Sequence, residues 1–202
     1  MPSHRYLPVK RVLDLAVCIV AAPVVLPLLG LIALAVKVDS PGSILFSQVR
    51  TGRNGERFRM YKFRSMVRNA EELKASLQHL NVVEPPAFKV LNDPRVTRTG
   101  RLLRASSLDE LPQLLNVVRG EMSLVGPRPT TYDASSYQLW HTARLDVPPG
   151  ITGLWQVSGR NDTRFVDERV RLDLRYIARM SLRTDLAILL RTVGAMVRRS
   201  GA

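Results

Sequence analysis

Between Leu15 and Val36 the chain carries twenty-two consecutive residues with no charge and no strongly polar side chain, LAVCIVAAPVVLPLLGLIALAV. As one continuous helix such a run reaches about 33 Å, the thickness of a bilayer's hydrocarbon core. A secretory leader fits poorly, because the run is long for an h-region and no small-residue cleavage site precedes KVDSPG. Pro23 and Pro27 remove two backbone donors near the middle and predict a kink. Basic residues flank both sides: Arg5, Lys10 and Arg11 before the run, and Lys37, Arg50, Arg53, Arg57 and Arg59 after it. Positive charge tends to stay on the cytoplasmic face, and one straight span cannot keep both flanks there. The pattern therefore favours a helix that re-enters, with a proline-kinked spanning anchor as the alternative.

Beyond the run the pattern changes to alternation. The stretch SPGSILFSQVRTGRNGERFRMYKFRSM predicts two strands, near Ile44–Arg50 and Arg57–Phe63, joined by a turn at Asn54 and Gly55. Arg57, Arg59 and Tyr61 alternate with Phe58, Met60 and Lys62, so one face can pack while the other stays basic. Helical composition returns over Val67–Leu80, with Glu71 and Lys74 spaced for a surface pair, and VVEPPAF ends it. A further helix is expected from about Asp109 to Arg119, stopped by Gly120. DVPPGITGLWQVSGRND reads as loop with exposed Trp155 and Arg160. From Phe165 onward the chain is helical and amphipathic, suited to packing on a core or lying on a membrane surface. The expected class is α+β, mainly helical, with one small hairpin.

Charge narrows the partners. Among 202 residues the formal net charge is +13, carried by twenty-five Arg against five Lys, and the Arg fork suits phosphate and carboxylate oxygens. Nucleic acid, an anionic membrane surface and a phosphorylated small molecule all fit that charge. The single cysteine, Cys18, excludes a disulfide framework within the chain. His4, His79 and His141 stand alone, with no CxxC or HExxH spacing, and neither a Walker A loop nor GxGxxG occurs. Phosphate recognition would fall to arginines.

One stretch carries candidate chemistry: SSLDELPQLLN, with Asp109 and Glu110 adjacent and Pro112 two residues on. Ser107 and Glu110 match a capping box, which alone would explain the spelling. Pro112 in the first turn places the carboxylates at a helix N-terminus, where the dipole favours anions, substrate phosphate included. Arg98, Arg101 and Arg104 precede the pair and Arg128 follows it. One carboxylate as nucleophile and the other holding a divalent cation would make a phosphoryl-transfer site.

Three segments, FSQVRTGRNGERFRMYKFRSM, SLDELPQLLNVVRGEMSLVGPRP and PPGITGLWQVSGRN, resemble the bacterial sugar transferase family, the monotopic phosphoglycosyl transferases, over about Lys10 to Thr192. The resemblance implies an enzyme that moves a phosphosugar from a nucleoside diphosphate sugar, expected to be a UDP-sugar, to polyprenol phosphate. Uridine monophosphate would leave, and the product would start a membrane-linked glycan. It implies that Asp109 is the nucleophile that forms an aspartyl phosphosugar intermediate, and that Glu110 helps bind Mg²⁺. Arg104, Arg128 and Arg160 take the places of the phosphate-binding arginines, and Lys62 and Arg64 of YKFRSM join them. It implies a membrane break at Ala22-Pro23 within residues 1–39, ahead of a catalytic domain, 40–202, on the cytoplasmic face of the bacterial inner membrane. The chain resembles the minimal form of the family. Membrane lipid is an expected partner and nucleic acid is not, leaving a basic nucleic-acid or membrane-surface binding protein as the alternative class. Apolar residues on the C-terminal helix could also join two copies.

Overall fold

The computed structural model describes residues 3–82, 88, 90–131, 139–158 and 166–197. Helix α1, Ser3–Asp39, is helical throughout and contains Pro8, Pro23 and Pro27. The expected break at Ala22-Pro23 is therefore absent as an interruption: each proline removes one backbone donor, and the turns on either side continue the helix. One side of its middle stands exposed, with Ile19 71%, Val20 80% and Val24 73% accessible, while Cys18 packs on the cluster of Phe58, Met60, Val117 and Met122, and Leu28 and Leu29 pack on that of Ile32, Val36, Phe63 and Leu103.

Both ends of α1 dock on one body. At the first end Lys10 and Asp14 are buried. Lys10 pairs with Asp185, Tyr6 donates to the same carboxylate at 3.1 Å, and Asp14 accepts from the Leu124 backbone N–H at 3.2 Å. Arg11 donates to the carbonyls of Val117 and Val118. At the second end Ile32 and Val36 pack with Phe63 and Leu103, and Asp39 accepts from the Thr99 N–H at 3.0 Å.

The predicted hairpin forms from β1, Leu45–Thr51, and β2, Arg57–Phe63, antiparallel from Leu45 opposite Phe63 to Thr51 opposite Arg57. Asn54 and Gly55 take the left-handed conformations (φ 55° and 81°) that such a turn needs. Directly opposed residues share a face, so Phe46, Gln48 and Arg50 lie with Lys62, Met60 and Phe58. Phe58 and Met60 on that face are buried, while Arg57 and Arg59 on the other are exposed. Over 67–80, where a helix was expected, the chain makes turns and a 3-10 segment, Glu72–Leu80, with no buried residue. Without an apolar face against the core, nothing offsets the cost of a longer α-helix. The expected Glu71–Lys74 pair does form, at 3.3 Å on the surface.

Helix α2, Arg98–Ser106, begins at Thr97, whose hydroxyl accepts the Gly100 N–H at 3.0 Å. A Cβ on Gly100 would lie 2.1 Å from the Ser65 carbonyl oxygen, so only glycine allows α2 to approach the hairpin this closely. A 3-10 segment, Leu108–Gln113, and α3, Leu114–Arg119, follow, and Gly120 (φ 85°) stops the chain there. Strand β3, Ser123–Val125, pairs in parallel with β4, Gly150–Thr152. Helices α4, Leu154–Ser158, α5, Val166–Ala178, and α6, Leu182–Val197, complete the fold. Val125, Val147, Tyr176, Met180 and Ile188 form the core beneath them, so the expected helical C-terminal part is present.

A carboxylate pair between the hairpin and the arginines

Helix α2 ends where Ser107 turns left-handed (φ 58°), and the chain restarts at once as the 3-10 segment carrying Asp109, Glu110 and Pro112. This segment packs on β2. Asn116, fully buried, bolts α3 to the same strand: its amide donates to the Arg59 carbonyl at 2.7 Å and accepts the Tyr61 N–H at 3.2 Å. The carboxylate pair is thus fixed against the hairpin from both sides.

The capping box does not form. The Ser107 side chain caps nothing, and only the backbone bond from Glu110 N–H to the Ser107 carbonyl, 3.2 Å, spans those residues. The Glu110 carboxylate turns instead to Lys62 Nζ at 2.8 Å and to the Arg128 fork, with Nη2 2.6 Å from Oε1 and Nη1 3.3 Å from Oε2. Charged donors outcompete a neutral backbone N–H for a carboxylate. Burial alone would raise the Glu110 carboxyl, but Arg128 and Lys62 outweigh it and hold the group well below the usual carboxylate range.

Asp109 differs in every respect. It is half-buried, and among the described residues its carboxylate accepts no hydrogen bond and joins no ion pair. Burial raises its carboxyl above the ordinary range; Lys62, Arg104 and Arg128 oppose that and the Glu110 charge adds to it. Arg104 donates from Nε to the Ser65 hydroxyl at 2.8 Å, leaving its terminal nitrogens without a partner among the described residues.

Of the expected site residues, the structure gathers Asp109, Glu110, Lys62, Arg128 and Arg104. Arg64 goes elsewhere. Its guanidinium donates to the carbonyls of Val36 (3.4 Å), Ser40 (2.6 Å) and Pro41 (2.9 Å), tying down the last turn of α1, so its fork is not available to a phosphate. The unpaired carbonyls at a helix C-terminus attract a cation, which is the physical reason. Arg160 lies outside the described residues. Trp155, expected to be exposed, is half-buried with Arg169 over its ring at 5.2 Å.

Three residues of the site escaped the sequence. Arg144 donates to the Arg128 carbonyl at 2.9 Å and to Asp173 at 2.6 Å, and both members of that pair are buried, which supports the Arg128 loop from behind. Burial pushes the Asp173 carboxyl up to about 7 against the pull of Arg144. Arg50 stands on the hairpin face of Lys62. Its position two residues beyond Gln48 in β1 was a usable signal, because equal parity in a strand means a shared face. Nothing in the sequence brings Arg144 and Asp173 together.

Among the described residues no three His, Cys, Asp or Glu side chains cluster to cage a metal. Mg²⁺ favours few protein carboxylates plus substrate phosphate oxygens. Glu110 accepts three hydrogen bonds, leaving one of a carboxylate's roughly four lone-pair positions, and Asp109 keeps all of its own. The residues present fit a cation completed by substrate and not a cage made by the protein alone.

The family model described as "Bacterial sugar transferase" matches residues 5–199. The chain is 43% identical to "Galactosyl transferase CpsE" of Streptococcus agalactiae over 99% of this chain and 44% of that protein. It is also 43% identical to "Undecaprenyl-phosphate galactose phosphotransferase" of Salmonella typhimurium, over 99% of this chain and 42% of that one. With "Exopolysaccharide production protein ExoY" of Rhizobium meliloti it shares 42% identity over 93% of this chain and 84% of the relative. The chain thus spans less than half the length of the first two.

Proposed function

Because the chain belongs to the bacterial sugar transferase family, we propose that it transfers a phosphosugar from a nucleoside diphosphate sugar, a UDP-sugar, to polyprenol phosphate at a membrane. The names of its relatives supply the class of acceptor and the setting of exopolysaccharide production. One observation carries the reading: of two adjacent carboxylates, Glu110 is engaged by Lys62 and Arg128 while Asp109 keeps its oxygens unbonded.

In the proposed reaction a carboxylate oxygen of Asp109 attacks the sugar-bearing phosphorus. The bond from that phosphorus to the bridging oxygen breaks, and the oxygen keeps the electron pair as uridine monophosphate departs. A phosphate oxygen of the polyprenol then attacks the aspartyl phosphosugar, forming the product diphosphate and releasing the Asp109 carboxylate. Arg104, Arg128 and Lys62 neutralise the phosphate oxygens, and Arg160 is a further candidate. Glu110 holds Lys62 and Arg128 in place through its ion pairs. Mg²⁺, held by Glu110 and donor phosphate oxygens, would add charge neutralisation when bound.

The uncharged run in α1 and the basic residues on both sides of it support a helix that enters the bilayer and leaves on the same side, with residues 40–202 on the cytoplasmic face of the inner membrane.

The test is Asp109→Asn. Wild type incubated with a UDP-sugar and no acceptor should gain a phosphosugar on its intact mass, and the variant should gain nothing and release no uridine monophosphate. Turnover by Asp109→Asn at the wild-type rate would remove the nucleophile assignment.

A further inference from the structure

The hairpin face that carries Lys62 to Glu110 carries a second cation with no assigned role. Arg50 lies opposite Phe58, in the row whose other end faces Lys62. Its neighbour Thr51 donates its N–H to the Thr130 carbonyl at 2.9 Å, two residues beyond Arg128, so Arg50 and Arg128 converge at one corner. Gln48 holds Arg50 Nη2 at 2.5 Å, whereas Nε is buried with no hydrogen-bond partner among the described residues. A buried donor left unmade costs free energy unless a ligand completes it.

The charges point the same way. Lys62 and Arg128 pair with Glu110, Arg50 interacts with Glu110, and Asp109 adds a second carboxylate near Lys62 and Arg128; with Arg57 also close to Arg50, positive charge still exceeds negative in a poorly hydrated corner. Burial first, and Arg128 next, lower the Arg50 guanidinium to about 10, while Glu110 opposes them. The corner is costly when empty and favourable once an anion enters. It lies on the Glu110–Arg128 side of the carboxylate pair, whereas Arg104 and Ser65 lie on the Asp109 side.

We propose that Arg50 binds the nucleoside-linked phosphate of the donor, the phosphate that departs when Asp109 attacks the other. This rests on the proposed transfer reaction. As the bond from the sugar-bearing phosphorus to the bridging oxygen breaks, that oxygen gains the electron pair, and Arg50 meets the added charge with its unpaired Nε–H and the free edge of its fork.

The experiment is calorimetric titration of the full chain in lipid nanodiscs with uridine monophosphate and, separately, with inorganic pyrophosphate. Arg50→Gln should bind uridine monophosphate about tenfold more weakly than wild type or worse, as expected on losing a charge-assisted hydrogen bond. Arg50→Lys, which keeps the charge and loses the fork, should fall between them. Arg59→Gln, one strand across on the exposed face, should bind as wild type does and so controls for loss of charge alone. If Arg50→Gln does not fold, Arg50→Lys decides, and unchanged affinity in the variant that folds overturns the proposal. If wild type binds pyrophosphate but no uridine monophosphate, and Arg50→Gln weakens pyrophosphate, Arg50 keeps its anion role and the uridine donor is wrong. Wild type binding neither probe overturns the proposal.

Discussion

Glu110 and Arg128 meet fork to fork, at 2.6 Å and 3.3 Å, across eighteen residues of sequence. The pairing holds the guanidinium in one plane, which a point charge cannot reproduce. Arg128→Lys should therefore lose activity nearly as severely as Arg128→Gln, by about a hundredfold or more in kcat/KM, as for removal of a preorganised transition-state donor. Steady-state nucleotide release measures it, and a Lys variant within tenfold of wild type would mean that charge alone suffices.

Asp109 must be ionised to attack, and burial raises its carboxyl above the ordinary 3.8. Activity should rise with pH through that raised value. Lys62 pulls the same carboxyl down, so Lys62→Met should move the acid limb of the single-turnover profile to higher pH as well as lower its plateau. The stability effect has the opposite sense. A carboxyl raised in the folded state costs nothing at low pH, where both states are protonated, and its full cost appears above the folded value. Asp109→Asn should unfold at a higher temperature than wild type at neutral pH, with the difference vanishing below the ordinary aspartate range.

Arg144 and Asp173 form a buried pair behind the Arg128 loop. Arg144→Met strands the Asp173 carboxylate and frees the Arg128 carbonyl, and should cost about 3–5 kcal/mol. Arg144→Met with Asp173→Leu removes both charges and should recover much of that stability in denaturant titration. Activity should stay low in the double variant, because the Arg128 carbonyl is still unsupported.

Topology has its own measurement. In a Cys18→Ala background, Ser3→Cys and Ser43→Cys lie on either side of the uncharged run Leu15–Val36. Both should react with an impermeant thiol reagent from the cytoplasmic side of inverted vesicles, and reaction from opposite sides would exclude re-entry.

The hairpin was legible because its determinants are local: Asn54 and Gly55 for the turn, and alternation for the faces. The uncharged run was legible for the same reason. The capping box failed because the partners that win Glu110, Lys62 and Arg128, lie 48 and 18 residues away. The resemblance of YKFRSM alone placed Arg64 beside Lys62, and only Lys62 faces Glu110. Two residues along a strand would point the same way, but β2 ends at Phe63, and Arg64 leaves the strand to meet the end of α1. Over 67–80 the composition favoured a helix, yet with no apolar face to bury the segment settled into 3-10 turns.

Lys10 fastened to Asp185 and Asp39 fastened to Thr99 anchor α1 to the body at two places far apart along its own length. If α1 enters a bilayer as proposed, that double anchoring would hold Asp109 at one height above the lipid, and an acceptor headgroup would need to search only two dimensions to meet it.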